Sequence, residues 1–217
     1  MIRSEEKAEF MSDFDASTVK VVFMDIGGVL LSNGWGHESR QKAAKVFGFD
    51  YEEMEILHNF IYNVFEIGSI SLDEYLDTIL FHSDRDFSKT EFKEFMYAQS
   101  VELPQLLQWL KIWKTQTLMP VFALSNESQE LNDYRIEIFK LHQVFDGFFS
   151  SCYLKIRKPD PRIFIRAMEI AQVSPSQCLY FDDRPMLVNA AKKLGMTSIL
   201  HQDFETTKGI LEKFIQK

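Results

Sequence analysis

Three apolar runs in this chain each end in residues that could do chemistry. "VKVVFMDIGG" delivers Asp25, "VFALSN" delivers Ser125 and Asn126, and "CLYFDDR" delivers the doublet Asp182-Asp183. An ionised carboxylate at the end of a buried strand is costly to desolvate unless something compensates it, so Asp25 needs a partner from a distant part of the chain. Two adjacent acids at a buried edge repel each other unless a cation lies between them and a third acid. The chemistry that suits this pattern is a set of carboxylates gathered around a divalent cation. Each segment also has an ordinary reading. Asp25 could cap a turn, Ser125 and Asn126 could cap the next helix, and Arg157-Lys158 of "RKPDPRIF" could be a solvated pair before a helix begun by proline.

The elements that would position these residues are legible from pattern. Residues 19–26, 119–126 and 177–183 read as strands buried on both faces of a parallel sheet, 196–201 as a fourth and 144–151 as a possible fifth. Helical patterns at 160–171 and 185–194 separate them, which argues for an α/β sheet. In such sheets the ligand crevice lies beyond the carboxyl ends of the strands, where Asp25, Ser125, Asp182 and Asp183 would project. Residues 35–114 contain no strand candidate. Ser71 with Glu74 and Ser88 with Glu91 fit capping boxes within that stretch, which is too long for a simple crossover and reads as a helical lid above the sheet edge. The expected organisation is a core of residues 18–34 and 104–217, a helical cap at 35–103, and an arm at 1–17.

Composition excludes several classes. The 217 residues are 46% hydrophobic and include twenty Phe, enough for a real core. A net charge of −8 argues against a nucleic-acid partner, since phosphate backbones are bound by clustered Lys and Arg. No apolar run is long enough to span a bilayer, and the acidic first residues lack the core of a signal peptide. Cys178 and Cys152 are the two cysteines, and neither stands in a C-x-x-C spacing, so a reduced, cytoplasmic setting is expected.

In their order and spacing, "VFMDIGGVL", "VFALSN", "RKPDPRIF" and "YFDDRPMLVNAAKKLGM" resemble the four motifs of the haloacid dehalogenase superfamily over residues 19–200. The resemblance implies a Rossmann-like three-layer sandwich with a mostly parallel sheet and an inserted α-helical cap. It also implies a Mg²⁺-dependent phosphatase of small phosphorylated metabolites, most similar to sugar-phosphate phosphatases such as glucose-1-phosphatases. By this resemblance Asp25 is the nucleophile and forms an aspartyl-phosphate. Mg²⁺ is held by Asp25, the main-chain carbonyl of Gly27 and Asp182, with Asp183 acting through water. Ser125 and Lys158 bind phosphate oxygens, aided by backbone amides at Ile26, Gly27 and Asn126, and Lys158 offsets the acids. Gly28 lets the chain turn tightly away from the strand. The oligomeric state is not implied.

One position departs from the family pattern. Most of its phosphatases carry a second Asp two residues after the nucleophile as general acid and base, and this chain has Gly27. Such help contributes about 10²- to 10⁴-fold in rate. Three outcomes are compatible with glycine: a leaving group that needs little protonation, another acid such as His37 or Glu38 reaching in from the cap, or a protein that binds phosphate compounds without turning them over. Trp35 could line the pocket or pack the cap on the sheet. Two rival chemistries are disfavoured. "CLYFDDR" has the C-x₅-R spacing of cysteine-dependent phosphatases, with Cys178 and Arg184, but lacks the glycine-rich loop that chemistry needs. The superfamily's dehalogenases lack the acidic doublet.

Overall fold

The computed structural model describes residues 15–215, so residues 1–14 of the expected arm lie outside the described residues. The chain enters the sheet at β1 (Val21–Met24), whose four side chains are all buried. A strand so placed must be covered on both faces, as its β-branched and aromatic residues anticipate. Five α-helices follow before the sheet resumes: α1 (His37–Phe47), α2 (Tyr51–Glu66), α3 (Leu72–Ile79), α4 (Lys89–Ala98) and α5 (Leu106–Lys114). Then come β2 (Val121–Ser125), α6 (Gln129–Ile138), β3 (Gly147–Ser150), α7 (Ser151–Leu154) and α8 (Pro161–Ala171). The last elements are β4 (Cys178–Asp182), α9 (Pro185–Lys193), β5 (Thr197–Leu200) and α10 (Phe204–Leu211).

All five strands run parallel in the order β3-β2-β1-β4-β5. Val22 pairs with Val121 on one side and with Leu179 on the other, so the ends of β1, β2 and β4 fall level. The chain order reverses about β1, and this is where such sheets open a crevice. Alternate residues of β1 face opposite layers. Val22 and Met24 pack with Leu110 and Trp113 of α5 and Leu211 of α10, while Val21 and Phe23 pack with Ile163 and Phe164 of α8. This is the expected α/β three-layer arrangement. The strands are one to three residues shorter at their ends than the apolar runs suggest; after β1 the chain already turns at Ile26, whose carbonyl accepts from the amides of Leu30 and Leu31.

Helices α1–α4 bury their own apolar cluster, built on Phe49, Phe65, Leu76, Phe92 and Met96 and joined by Leu131 of α6. Both capping boxes form: Ser71 Oγ accepts from Glu74 N, and Ser88 Oγ from Glu91 N, with each Glu returning to its Ser amide. Ser71→Ala is expected to cost about 1 kcal/mol of stability, read by urea denaturation. An unchanged midpoint would show that the box adds nothing there. Among the described residues, no helix is long and apolar enough to cross a membrane.

Candidate active site

Asp25 stands one residue beyond β1, its amide donating to Phe181 O at 2.9 Å, so β4 fixes its height. Its Oδ1 accepts from the amide of Ile26 at 2.8 Å, and its Oδ2 lies 3.2 Å from Lys158 Nζ. Lys158 is 1% exposed and also reaches Asp182 Oδ2 at 2.7 Å. Tyr180 OH accepts a hydrogen bond from Lys158 Nζ at 3.2 Å and donates to Asp182 Oδ2, while Arg184 N donates to Asp182 Oδ1 at 2.8 Å. The partner that Asp25 requires is therefore Lys158, from a loop 133 residues downstream. Arg157 and Lys158 are not a solvated pair. Burial would lower the Lys158 pKa, but the carboxylates of Asp25 and Asp182 outweigh it and hold the ammonium charged. Burial pushes the Asp25 carboxyl upward, against the pull of Lys158.

Asp25, Asp182 and Asp183 each bring an oxygen within 4.8 Å of the others. Asp183 Oδ1 is buried without a hydrogen-bond partner among the described residues. An all-oxygen set with one uncommitted buried acceptor fits a hard divalent cation such as Mg²⁺. Gly28 makes the arrangement possible, since its φ is +72° and a Cβ there would overlap the Asp183 carboxylate. Gly28→Ala is expected to displace Asp183 and weaken cation binding at least about tenfold, measured by titration calorimetry with Mn²⁺. Unchanged affinity would remove Asp183 from the site.

The same crowding has a pH signature. Burial, with the nearby charges of Asp25 and Asp182, lifts the Asp183 pKa to about 6. The folded state then binds this proton more tightly than the unfolded chain, so the group favours folding below about 4 and that contribution is lost as pH rises through about 6. A divalent cation should therefore raise the melting temperature more at pH 7.5 than at pH 5. An equal shift at both would contradict the assignment.

Asn126 grips the Lys158 backbone at two points, Nδ2 donating to Lys158 O at 2.9 Å and Oδ1 accepting from Lys158 N at 2.8 Å. Its side chain thus positions Lys158, while the Ile26 amide is engaged by Asp25 itself. Ser125, 1% exposed, lines the cavity with Asp25 and helps to hold its carboxyl down.

A cavity of about 380 Å³ opens above these residues, lined by Asp25, Gly27, Ser125, Asn126 and Lys158 and roofed by residues of α1 and α2. Arg157 fastens that roof. Its Nη1 donates to Asn63 Oδ1 at 2.6 Å, its Nε lies 2.6 Å from Glu66 Oε2, and its guanidinium lies 4.8 Å from the centre of the Tyr62 ring. Trp35 lines the cavity, as expected, and packs edge-on against Phe92 of α4 at 5.6 Å, among the helices rather than between them and the sheet. Its indole N–H donates to Tyr75 OH at 2.9 Å, and that hydroxyl shares a hydrogen bond with His58 Nδ1 at 2.6 Å. Burial pushes the His58 pKa down to about 4.

His37 lines the cavity with an exposed ring engaged by Tyr51 and Gln41, and Glu38 is exposed and outside the cavity lining. Cys178 sits at the amino end of β4, opposite the acids, and donates to Ser174 O at 3.2 Å. Burial pushes its thiol up to about 12, which removes it as a nucleophile. Arg40, His58, Glu66, Glu127 and Arg135 also line the cavity and went unnamed in the sequence analysis. Glu127 follows the "SN" pair directly and carried a signal, while the others did not.

The family described as haloacid dehalogenase-like hydrolase matches residues 19–195. The chain belongs to that family. Among its relatives, the phosphorylated carbohydrates phosphatase of Thermotoga maritima is 27% identical over 186 residues, covering 83% of this chain and 84% of the relative. Flavin mononucleotide hydrolase 1 of Arabidopsis thaliana is 28% identical over 170 residues, covering 76% and 67%. A HAD-family enzyme of Bacteroides thetaiotaomicron, crystallised with magnesium and inorganic phosphate, superposes with a TM-score of 0.73 at 23% identity, over 85% of this hydrolase and 94% of that chain. That likeness is one of fold.

Proposed function

We propose that this hydrolase is a Mg²⁺-dependent phosphatase of small phosphorylated metabolites, sugar phosphates foremost, working through phosphorylation of Asp25. The observation that carries the reading is the junction of Asp25, Asp182 and Asp183 with the buried Lys158 at the floor of the cavity. Relatives named as phosphatases of phosphorylated carbohydrates and of fructose 1-phosphate support the substrate class. Asp25, the Gly27 carbonyl and Asp182 would hold the ion, with Asp183 acting through water. When bound, Mg²⁺ supplies positive charge to the phosphoryl oxygens.

The chain's own groups do the rest. Lys158 and Ser125 bind phosphoryl oxygens with the amides of Gly27 and Asn126, and they orient phosphorus toward Asp25, whose carboxylate occupies the Ile26 amide. The carboxylate of Asp25 attacks phosphorus, and water later cleaves the acyl phosphate. Residues 35–103 serve as the cap that recognises the rest of the substrate, with His58 and Arg40 on its wall. The two free buried cysteines support a reducing, cytoplasmic setting. The acidic doublet Asp182-Asp183 argues for phosphoryl rather than dehalogenation chemistry.

Phosphate release from a panel of sugar phosphates and flavin mononucleotide, with and without chelator, tests the reading. Release that persists in excess chelator would reject it. Cys178→Ser is expected to leave the rate unchanged, and a lost rate in that variant would revive the thiol. Gly27 favours a second reading, phosphate binding without turnover, which predicts affinity for sugar phosphates but no release.

A further inference from the structure

Position 27 is bare, but the space in front of it is filled. A Cβ built on Gly27 would lie 3.3 Å from Asn33 Oδ1 and 3.9 Å from Arg135 Nη1, and one on Gly34 would lie 3.6 Å from Arg135 Cζ. The guanidinium of Arg135 thus rests over two residues without side chains. Its Nη1 donates to Glu127 Oε1 and its Nη2 to the carbonyl of Ser32. Arg135 is 3% exposed and Glu127 8%, yet both line the cavity that holds Asp25 and Lys158. A buried Arg–Glu pair adds little net stability, since the cost of desolvating both charges offsets their attraction. Its place at the reaction floor calls for a chemical reason.

We infer that Glu127 is the proton-transfer residue of this site, held by Arg135, whose guanidinium together with Asn33 stands in the space a side chain at position 27 would otherwise use. The inference rests on the phosphatase reading. In the first half-reaction the Asp25 oxygen–phosphorus bond forms, the ester oxygen–phosphorus bond breaks, and the proton of the Glu127 carboxyl goes to the departing oxygen. In the second, water oxygen bonds to phosphorus and the Asp25 oxygen–phosphorus bond breaks, its electron pair returning to the carboxylate. The water proton goes to Glu127, which restores the starting state. Burial raises the pKa of Glu127, Arg135 opposes it, and the charges of Asp25 and Glu66 add to the rise. Glu66, a half-buried carboxyl at the end of α2 on the cavity wall, is already tied to Arg157.

The test compares wild type with Glu127→Gln on two esters: p-nitrophenyl phosphate, whose leaving group needs little protonation, and glycerol phosphate, whose alkoxide needs a proton. Glutamine keeps the size of the side chain and an acceptor for Arg135. The variant should lose about 10²- to 10⁴-fold in kcat/KM on glycerol phosphate. It should release the first equivalent of nitrophenol within about tenfold of the wild-type rate and then accumulate protein phosphorylated on Asp25, seen by intact mass after quenching. Glu127→Asp, which retracts the carboxyl and keeps its charge, should show the same selectivity and serves if the first variant does not fold. Equal losses on both esters, or no loss, would overturn this inference alone. Wild type that releases phosphate from neither ester would overturn the phosphatase reading and this inference with it.

Discussion

Asp25→Asn is expected to lower phosphate release by about 10⁴-fold or more, the scale seen when a nucleophile is removed from a preorganised site. The amide keeps the shape of the side chain and can still accept from the Ile26 amide, so the loss is chemical rather than structural. Lys158 retains Asp182 as its counter-charge at 2.7 Å, and one of three crowded carboxylates becomes neutral. The variant should therefore melt no lower than wild type in the absence of metal and should bind Mn²⁺ more weakly. Phosphate release under saturating Mg²⁺, with a melting curve beside it, checks both parts. A variant that keeps a tenth of the wild-type rate would exclude Asp25 as the group that is phosphorylated.

Lys158→Met should be the most damaging single change to stability. It leaves Asp25 and Asp182, 7% and 0% exposed, without their shared cation. Removing one partner of a buried ion pair costs about 3–5 kcal/mol, because the remaining charge is uncompensated. Phosphate release should vanish as well, since the ammonium that orients the phosphoryl group is gone. The sign of the pH dependence follows from the carboxylates. Burial already raises the Asp25 pKa against the pull of Lys158, and without that pull it rises further in the folded variant, so the variant is most stable at acidic pH and loses stability as pH rises through that value. Urea denaturation at pH 5 and pH 8 reads this directly. A deficit below about 1 kcal/mol at pH 8 would show that solvent or Tyr180 already compensates the two acids.

Several features of the fold were legible because they depend on local pattern. Val19 to Met24 is apolar on every residue but Lys20, and only a strand covered on both faces accommodates that. The capping boxes at Ser71 and Ser88 required no knowledge of neighbours, since each closes within four residues. Asp25 and the doublet Asp182-Asp183 were legible for a similar reason, each being anomalous at the end of its own strand. Their convergence required only the rule that a parallel sheet presents its strand ends on one side. Arg157 shows the limit. In the chain it looks like a solvated cation beside Lys158, yet it clasps Tyr62, Asn63 and Glu66 more than ninety residues upstream.

Gly27 marks the division most clearly. The chain establishes that no acid stands there, and it establishes the carboxylates, the lysine and the order in which strands deliver them, because those follow from alternation, strand direction and the cost of unpaired charge. What occupies the space in front of Gly27 was decided by the packing of α6 against the turn after β1, which brings Arg135 over Gly27 and Gly34 and carries Glu127 to the cavity floor. Electrostatic contacts of this kind act through a few ångströms of space and leave no periodic trace along the chain. They arise only once the folded backbone has set the distances.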